Sequence, residues 1–259
     1  MKILNIGGAL LALALGSSTA SAVTINSGLL NDFEDSSVHG WTYGGSSAKK
    51  DPSILPKVVQ EENGNKYLQV TSTGGGTTGR GPGSRMTVIN ETEWRGNYIT
   101  AGVGSIQVKM KNMGDEMLYM RAGFTTRALE EWHFAASDTY LELPADGKWY
   151  DLSFAIDAEN ITAFLGSEAE CCFTKWDFDE VIGGVNQLKF HNGKDAHFWN
   201  GAKISSVLGI DDIRVTSEVS QSIILSDGDL APVPVPAAAW LFMTGLFGIA
   251  GISRKRTHI

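Results

Sequence analysis

Ser105-Ile106-Gln107-Val108-Lys109-Met110 alternates polar and apolar side chains at every position. A period of two belongs to an extended strand with one buried and one solvated face, because successive Cβ atoms point to opposite sides. The same reading holds outward in both directions. Residues 66–70, 117–124, 140–143, 150–156 and 187–190 alternate or are rich in β-branched and aromatic side chains, as does Gly209-Ile210-Asp211-Asp212-Ile213-Arg214-Val215. Between them stand Asn63-Gly64, Asp146-Gly147, Asn192-Gly193 and Gly74-Gly75-Gly76, residues suited to tight turns. No 12-residue stretch of 23–230 presents a helical face, and residues 168–179 allow one turn at most. This spacing predicts an all-β fold, a sandwich or jelly roll.

The two ends differ from this middle. Lys2 is followed by the apolar run Ile3 to Leu15 and by small residues ending in Ala20-Ser21-Ala22, the three-part pattern of a signal peptide. The run is too short to span a bilayer, so residues 1–22 are expected to be removed by signal peptidase and the mature chain to begin near Val23. At the other end, Val233-Pro234-Val235-Pro236 precedes 16 uncharged residues, Ala237 to Ile252, and then Arg254-Lys255-Arg256. The prolines keep a helix from starting before Pro236. Sixteen residues rise about 24 Å, a little less than the ~30 Å hydrocarbon core, and long basic side chains at the end extend that reach. The basic cluster stays cytoplasmic, so everything before it faces outward.

The C-terminal segment resembles the PEP-CTERM sorting signal in its Val-Pro-x-Pro variant: a proline tetrapeptide, a Trp-bearing apolar helix with Gly245, Gly248 and Gly251, and a terminal basic cluster. Val235 stands where the family name implies Glu. The resemblance covers about 27 residues and implies an exosortase-type enzyme that cleaves near the motif and passes the ectodomain to the extracellular matrix. The expected organisation is a signal peptide over 1–22, an ectodomain over 23–220, a linker over 221–231 and the anchor over 232–258 with its helix at 237–252. The chain is expected at the inner membrane facing the periplasm before processing, then at the cell surface or in the matrix. An ordinary single-pass tail is the alternative.

Residues 23–230 carry all 29 acidic side chains and 17 of the 21 basic ones, a net charge of −12. So acidic a domain repels nucleic acid and shows no basic stripe with interleaved aromatics, which leaves metal cations, or neutral or cationic glycans, as partners. The only cysteines, Cys171 and Cys172, are adjacent. Their Cα atoms stand ~3.8 Å apart, below the usual disulfide span, so a vicinal bridge, intermolecular bridges and free thiols all stay open. The glycine-rich stretch Ser72 to Ser84 lacks the Lys-Ser/Thr and helix of a phosphate loop and reads as a flexible loop.

Asp32-Phe33-Glu34 before Gly40-Trp41, the strand Tyr67-Leu68-Gln69-Val70, then Gly147-Lys148-Trp149-Tyr150 and the closing Ile210-Asp211-Asp212-Ile213 together resemble the galactose-binding-like jelly roll of many carbohydrate-binding modules. The resemblance spans most of residues 29–216. It implies a structural calcium that ties the first and last strands together, with Glu34, Asp211 and Asp212 as ligands. Solvated strand-end carboxylates are the alternative. Trp41 and Trp149 are expected in the core. Trp94, Trp132, Trp176 and Trp199, with Arg127 and His133 close by in sequence, form the candidate polysaccharide site, since sugars stack on aromatic faces. The alternative is that these Trp side chains fill the sandwich or cover its edges.

Catalytic motifs are absent from the sequence: no Gly-x-Ser-x-Gly elbow, no His-Glu-x-x-His pair and no phosphate loop. His39, His133, His191 and His197 are scattered, with His191 and His197 near enough to converge across one loop. A glycoside hydrolase would need paired carboxylates, for which Glu130-Glu131 or Asp177, Asp179 and Glu180 are the candidates. The expectation is a non-enzymatic matrix protein, with a purely structural protein and an extracellular hydrolase as the alternatives.

Overall fold

The computed structural model of the chain describes residues 25–44, 54–75, 83–128, 131–165, 174–196 and 201–226. The expected signal peptide and sorting anchor lie outside them, as do Cys171, Cys172, His197 and Trp199. Among the described residues no helix is long and apolar enough to cross a membrane.

In chain order the described strands are β1 (Leu30–Asn31), β2 (Trp41–Tyr43), β3 (Lys57–Gln60), β4 (Lys66–Thr73), β5 (Thr87–Asn90), β6 (Ser105–Asn112), β7 (Leu118–Ala128) and β8 (Glu131–Ser137). There follow β9 (Leu141–Leu143), β10 (Tyr150–Ala155), β11 (Ile161–Leu165), β12 (Thr174–Lys175), the helix α1 (Phe178–Ile182), β13 (Gln187–Asn192), β14 (Ser205–Thr216) and β15 (Ser222–Leu225). The first sheet runs β15-β10-β6-β14-β4-β3, with β1 on β14. The second runs β12-β11-β8-β7-β13-β5-β2, with β9 on β7. The chain changes sheets between β1 and β2, β2 and β3, β4 and β5, β5 and β6, β6 and β7, β9 and β10, β10 and β11, and β13 and β14, the crossing pattern of a jelly-roll sandwich.

The alternation in β6 does what its period implies. Ile106, Val108 and Met110 point into the sandwich at 2% exposure or less, while Gln107 and Lys109 stay partly exposed. Leu68, Val70, Leu208 and Ile210 join them from the first sheet; Leu118, Met120, Phe124, Leu188 and Phe190 face them from the second. All belong to one contiguous core. Trp41 stacks on Phe190 at 5.5 Å, and Phe154 meets Phe190 at 5.8 Å.

One polar group is built into this core. Asn31 Oδ1 accepts the indole N–H of Trp41 at 2.8 Å and of Trp94 at 2.7 Å. Asn31 is 1% exposed, and its amide donates to the Leu30 carbonyl and to Glu93 Oε2. β1 therefore anchors to the second sheet through a side chain as well as to β14 through its backbone.

β14 carries a register shift between Asp211 and Arg214. Ile210 and Ile213 both point inward at 0% exposure with two residues between them, which strict alternation forbids. The extra residue of a bulge resolves this, and Asp212 takes a φ of +47°. Both carboxylates are thereby sent to the outer side of the first sheet.

The β3–β4 hairpin turns where Asn63-Gly64 predicts. Asn63 Oδ1 accepts the Asn65 N–H at 2.9 Å, and Gly64 supplies a φ of +95°. The expected turn of helix exists but lies later, at Phe178–Ile182, because Asp177 caps it by accepting the N–H groups of Asp179 and Glu180. β15 pairs with β10 from Ser222 to Leu225, so the sandwich runs past residue 220 into the stretch expected as linker. Its Ile223 packs on the core.

Candidate functional site

The outward face of the second sheet follows from its inward one. Phe124, Ala135 and Leu188 are core residues. Period two then puts Arg121, Gly123, Thr125 and Arg127 of β7 on the opposite side, where Arg127 is exposed and the other three are buried. Registers Arg127↔Trp132 and Thr125↔Phe134 place Trp132 and Phe134 on the same side. Registers Gly123↔Lys189 and Arg121↔His191 add Lys189 and His191.

Aromatic rings mark both ends of this face. At one end Trp132 is 50% exposed, with the Arg127 guanidinium 5.9 Å from its ring centre. Phe134 and Phe164 stack beside it at 5.8 Å. At the other end Tyr119 and Tyr140 meet edge to face at 5.0 Å, both half-buried. Lys194 Nζ sits 4.1 Å over Tyr119, and Arg121 lies 5.5 Å from Tyr140. Tyr119 and Arg127 are eight residues apart on one strand, about 26 Å at ~3.3 Å per residue.

Arg121 is held from below. Its guanidinium donates to the carbonyls of Gly193 at 2.8 Å, Lys194 at 2.5 Å and Ser137. These partners are neutral; burial opposes the charge of the guanidinium, and the carboxylates of Asp195 and Asp138 also act on it. Burial, with the charges of Lys189 and Arg121, pushes His191 well below the ordinary imidazole range, and it is neutral at pH 7.

The residues expected in the site divide. Trp132 and Arg127 lie together on this face. Trp94 does not: it is 0% exposed and hydrogen-bonded to Asn31, a core residue. His133 points inward at 1% exposure and meets Trp176 at a tilt of 49° and 4.4 Å, and Trp176 packs against the core. Trp199 is outside the described residues. Tyr119, Tyr140, Phe134, Arg121 and Lys189 were not singled out from sequence, although the period of β7 contained the signal: Tyr119, Arg121, Thr125 and Arg127 share one parity. Among the hydrolase candidates, Asp177 is committed to capping α1, and Glu130 is outside the described residues.

Trp149, expected in the core, instead lies half-buried on the outer side of the first sheet. There it meets Tyr67 edge to face at 5.5 Å, and Lys111 Nζ lies 4.3 Å from the Tyr67 ring centre and 4.7 Å from that of Trp149. Gly209 leaves the room: a Cβ there would approach Lys111 Cγ to 3.0 Å and the Trp149 ring to 3.2 Å. Glu61 closes the cluster, taking hydrogen bonds from Lys111 and from Trp149 Nε1. Burial opposes its ionisation, but these donors and the Lys111 charge hold its carboxyl below the usual range. On the same side a groove of about 140 Å³ is lined by Gln107, Lys109, Asp151, Asp212 and Arg214. Lys109 is ion-paired there with Asp212 at 2.6 Å, and Arg214 donates to the neutral amide oxygen of Gln107 at 2.9 Å.

The expected calcium ligands also divide. Asp211 is 5% exposed; it accepts Asn65 Nδ2 at 3.1 Å and the Asp212 N–H at 2.8 Å. Burial pushes its carboxyl up to about 6. Glu34 Oε1 accepts the N–H of Lys66, the residue after Asn65, at 3.1 Å. One hairpin thus joins Glu34 and Asp211, as a link between the first and last strands requires. Asp212 is turned away by the bulge into its ion pair with Lys109. No three Asp, Glu, His or Cys side chains converge among the described residues, so a cation between Glu34 and Asp211 would draw further oxygens from amide and carbonyl groups.

No family model matches the chain, and no curated protein matches it. Solved structures do. An exo-β-agarase is 13% identical with a TM-score of 0.44, over 76% of this chain and 25% of that one. The family 11 carbohydrate-binding module from Clostridium thermocellum, solved with a β-1,3-1,4-mixed-linked tetrasaccharide, is 15% identical with a TM-score of 0.43, over 75% and 97%. The family 30 module of a cellulosomal cellulase from the same organism is 15% identical with a TM-score of 0.39, over 70% and 91%. The chain spans a quarter of the agarase's length.

Proposed function

We propose that this chain is an exported, non-catalytic surface or matrix protein that binds polysaccharide along the outward face of its second sheet. The placement of Trp132 and the Tyr119–Tyr140 pair at opposite ends of one face carries the reading. Sugar rings stack their apolar faces on aromatic rings while polar groups fix hydroxyls, and aromatic anchors ~26 Å apart suit an extended chain rather than a single sugar. Glu34 and Asp211 would hold a structural calcium that fastens β14 to the segment after β1.

The face is tested by isothermal titration of the full chain, purified in detergent, against a polysaccharide panel. Trp132→Ala and Tyr140→Ala should each weaken binding by about 2 kcal/mol, some thirtyfold, as aromatic hot spots do. A double variant that keeps its melting temperature and binds like the parent would move the site off this face.

The ends support export and sorting. Residues 1–22 would be removed by signal peptidase, and Val233-Pro234-Val235-Pro236 with Arg254, Lys255 and Arg256 would present the chain to an exosortase-type enzyme at the membrane. Mass spectrometry of matrix protein should find a start near Val23 and no residues from 237–252. Replacing Pro234 and Pro236 by Ala should leave the uncleaved chain in the membrane fraction; unaltered release of that variant rules the sorting motif out.

A further inference from the structure

We infer that β15 is a docking edge for a second copy of this chain: two β15 strands pair antiparallel about a two-fold axis and join two first sheets into one. The inference stands apart from polysaccharide binding and from the sorting signal.

Among the described residues β15 ends the first sheet, with β10 on one side and no strand on the other. Such an edge presents unpaired N–H and C=O groups, and folded proteins guard it with charge, proline, a bulge or shortness. The other end strands carry such guards. β3 begins at the exposed Lys57, β12 is two residues long and contains the exposed Lys175, and β2 is three residues long. β15 is longer than β12 and β2 and carries no charge. From Val219 to Ser226 the chain holds no charged residue and no proline, although residues 23–230 have a net charge of −12. Val219, Ile224 and Leu225 are 59%, 61% and 38% exposed. Two copies of so acidic a domain repel each other over most of their surface, so a neutral apolar edge is where they can approach.

The phase of the β10–β15 ladder decides the register. The Ser226 N–H donates to the Trp149 carbonyl at 2.8 Å, one step beyond the pair Tyr150↔Leu225. Hydrogen-bonded and non-hydrogen-bonded pairs alternate along an antiparallel ladder. Ser222, Ile224 and Ser226 therefore direct their backbone groups to β10, while Ile223 and Leu225 direct theirs to the open edge. Setting Ile223 against Leu225 of the second copy lets each such pair exchange both of its hydrogen bonds. The same register places Ile224 against its own copy on the outer side, in a non-hydrogen-bonded pair. On the inner side, where Ile223 already packs on the core, it sets Ile223 against Leu225. Each apolar side chain of the seam then meets an apolar one. The strand is its own complement in this register, which makes a second copy the occupant.

The test is sedimentation of the full chain in detergent, with Cys171→Ser and Cys172→Ser removing the native thiols. A dimer in reversible equilibrium with monomer is expected. Ile224→Cys should then give a disulfide-linked dimer under mild oxidation, because opposed Cα atoms of a non-hydrogen-bonded pair stand about 4.5 Å apart, within disulfide reach. Ser222→Cys should not, since Ser222 opposes Ser226 and its own copy lies about 13 Å along the strand. Ile224→Lys sets like charges opposite each other at an exposed position; it should keep the melting temperature and weaken association at least tenfold. Leu225→Pro removes a donor that faces the open edge and should weaken association likewise. A dimer that survives both substitutions forms elsewhere, through the C-terminal helix for example, and overturns the inference. A monomer at every concentration overturns it too, as when the chain's own C-terminal segment takes the edge. So does an Ile224→Cys variant that cross-links no better than Ser222→Cys.

Discussion

Asn31→Ala is expected to remove about 4 kcal/mol of folding stability, seen as a lower urea midpoint at unchanged slope. One oxygen serves two indole N–H groups, of Trp41 and Trp94, both at 2% exposure or less. Water does not reach them, so truncation leaves two buried donors unsatisfied at roughly 1–3 kcal/mol each. The lost amide contact to Glu93 and the small cavity add to this. A double-mutant cycle isolates the cause: in the Asn31→Ala background Trp94→Phe should cost about 1–3 kcal/mol less than in the parent, because the orphaned N–H goes with the indole. A midpoint shift worth less than about 1 kcal/mol would mean that Asn31 does not join β1 to the second sheet as described.

In chelator, the melting temperature should fall as pH rises from 4 to 6.5, with Asp211 as the source. Its carboxyl sits at about 6 in the folded protein, against 3.8 for a freely solvated aspartate, chiefly through burial; Asp212 adds to the rise, and Asn65, the Asp212 N–H and Lys109 oppose it. The folded state therefore keeps a proton that the unfolded chain has released, and stability declines with pH across that window. Two pK units correspond to about 3 kcal/mol. Millimolar calcium should restore the loss above pH 6, because a cation favours the ionised carboxylate. Asp211→Asn should remove both the decline and the calcium response and leave the chelated protein more stable at pH 7. The difference between parent and variant curves isolates Asp211 from other carboxylates. Identical parent and variant curves, with and without calcium, would remove Asp211 from both roles.

Several of the strands legible in sequence have one wetter face. β6, β10 and β14 alternate because their outer side meets solvent or mixed polar neighbours. β8 was not legible, for a definite reason: His133 faces inward while Trp132 and Phe134 face outward, which inverts the usual pattern. β5 is buried at all four positions and β3 sets two valines side by side between polar ends, so neither alternates. The bulge in β14 was visible only as Ile210-Asp211-Asp212-Ile213, a three-residue inward spacing that no strand produces without it.

The stretch Ser105 to Met110 and its counterparts determined by themselves that this is a two-faced β protein, because period two is a local property of an extended backbone. The terminal motifs are likewise local, as charge, apolar length and proline position need no partner. Which aromatic rings could meet a ligand was decided only by tertiary structure. Trp94 and Trp132 are alike as residues, and only the pairing of strands buries one against Asn31 and leaves the other half-exposed beside Arg127. The same pairing separated Asp211 from Asp212, since a single inserted residue turned one toward Asn65 and the other toward Lys109.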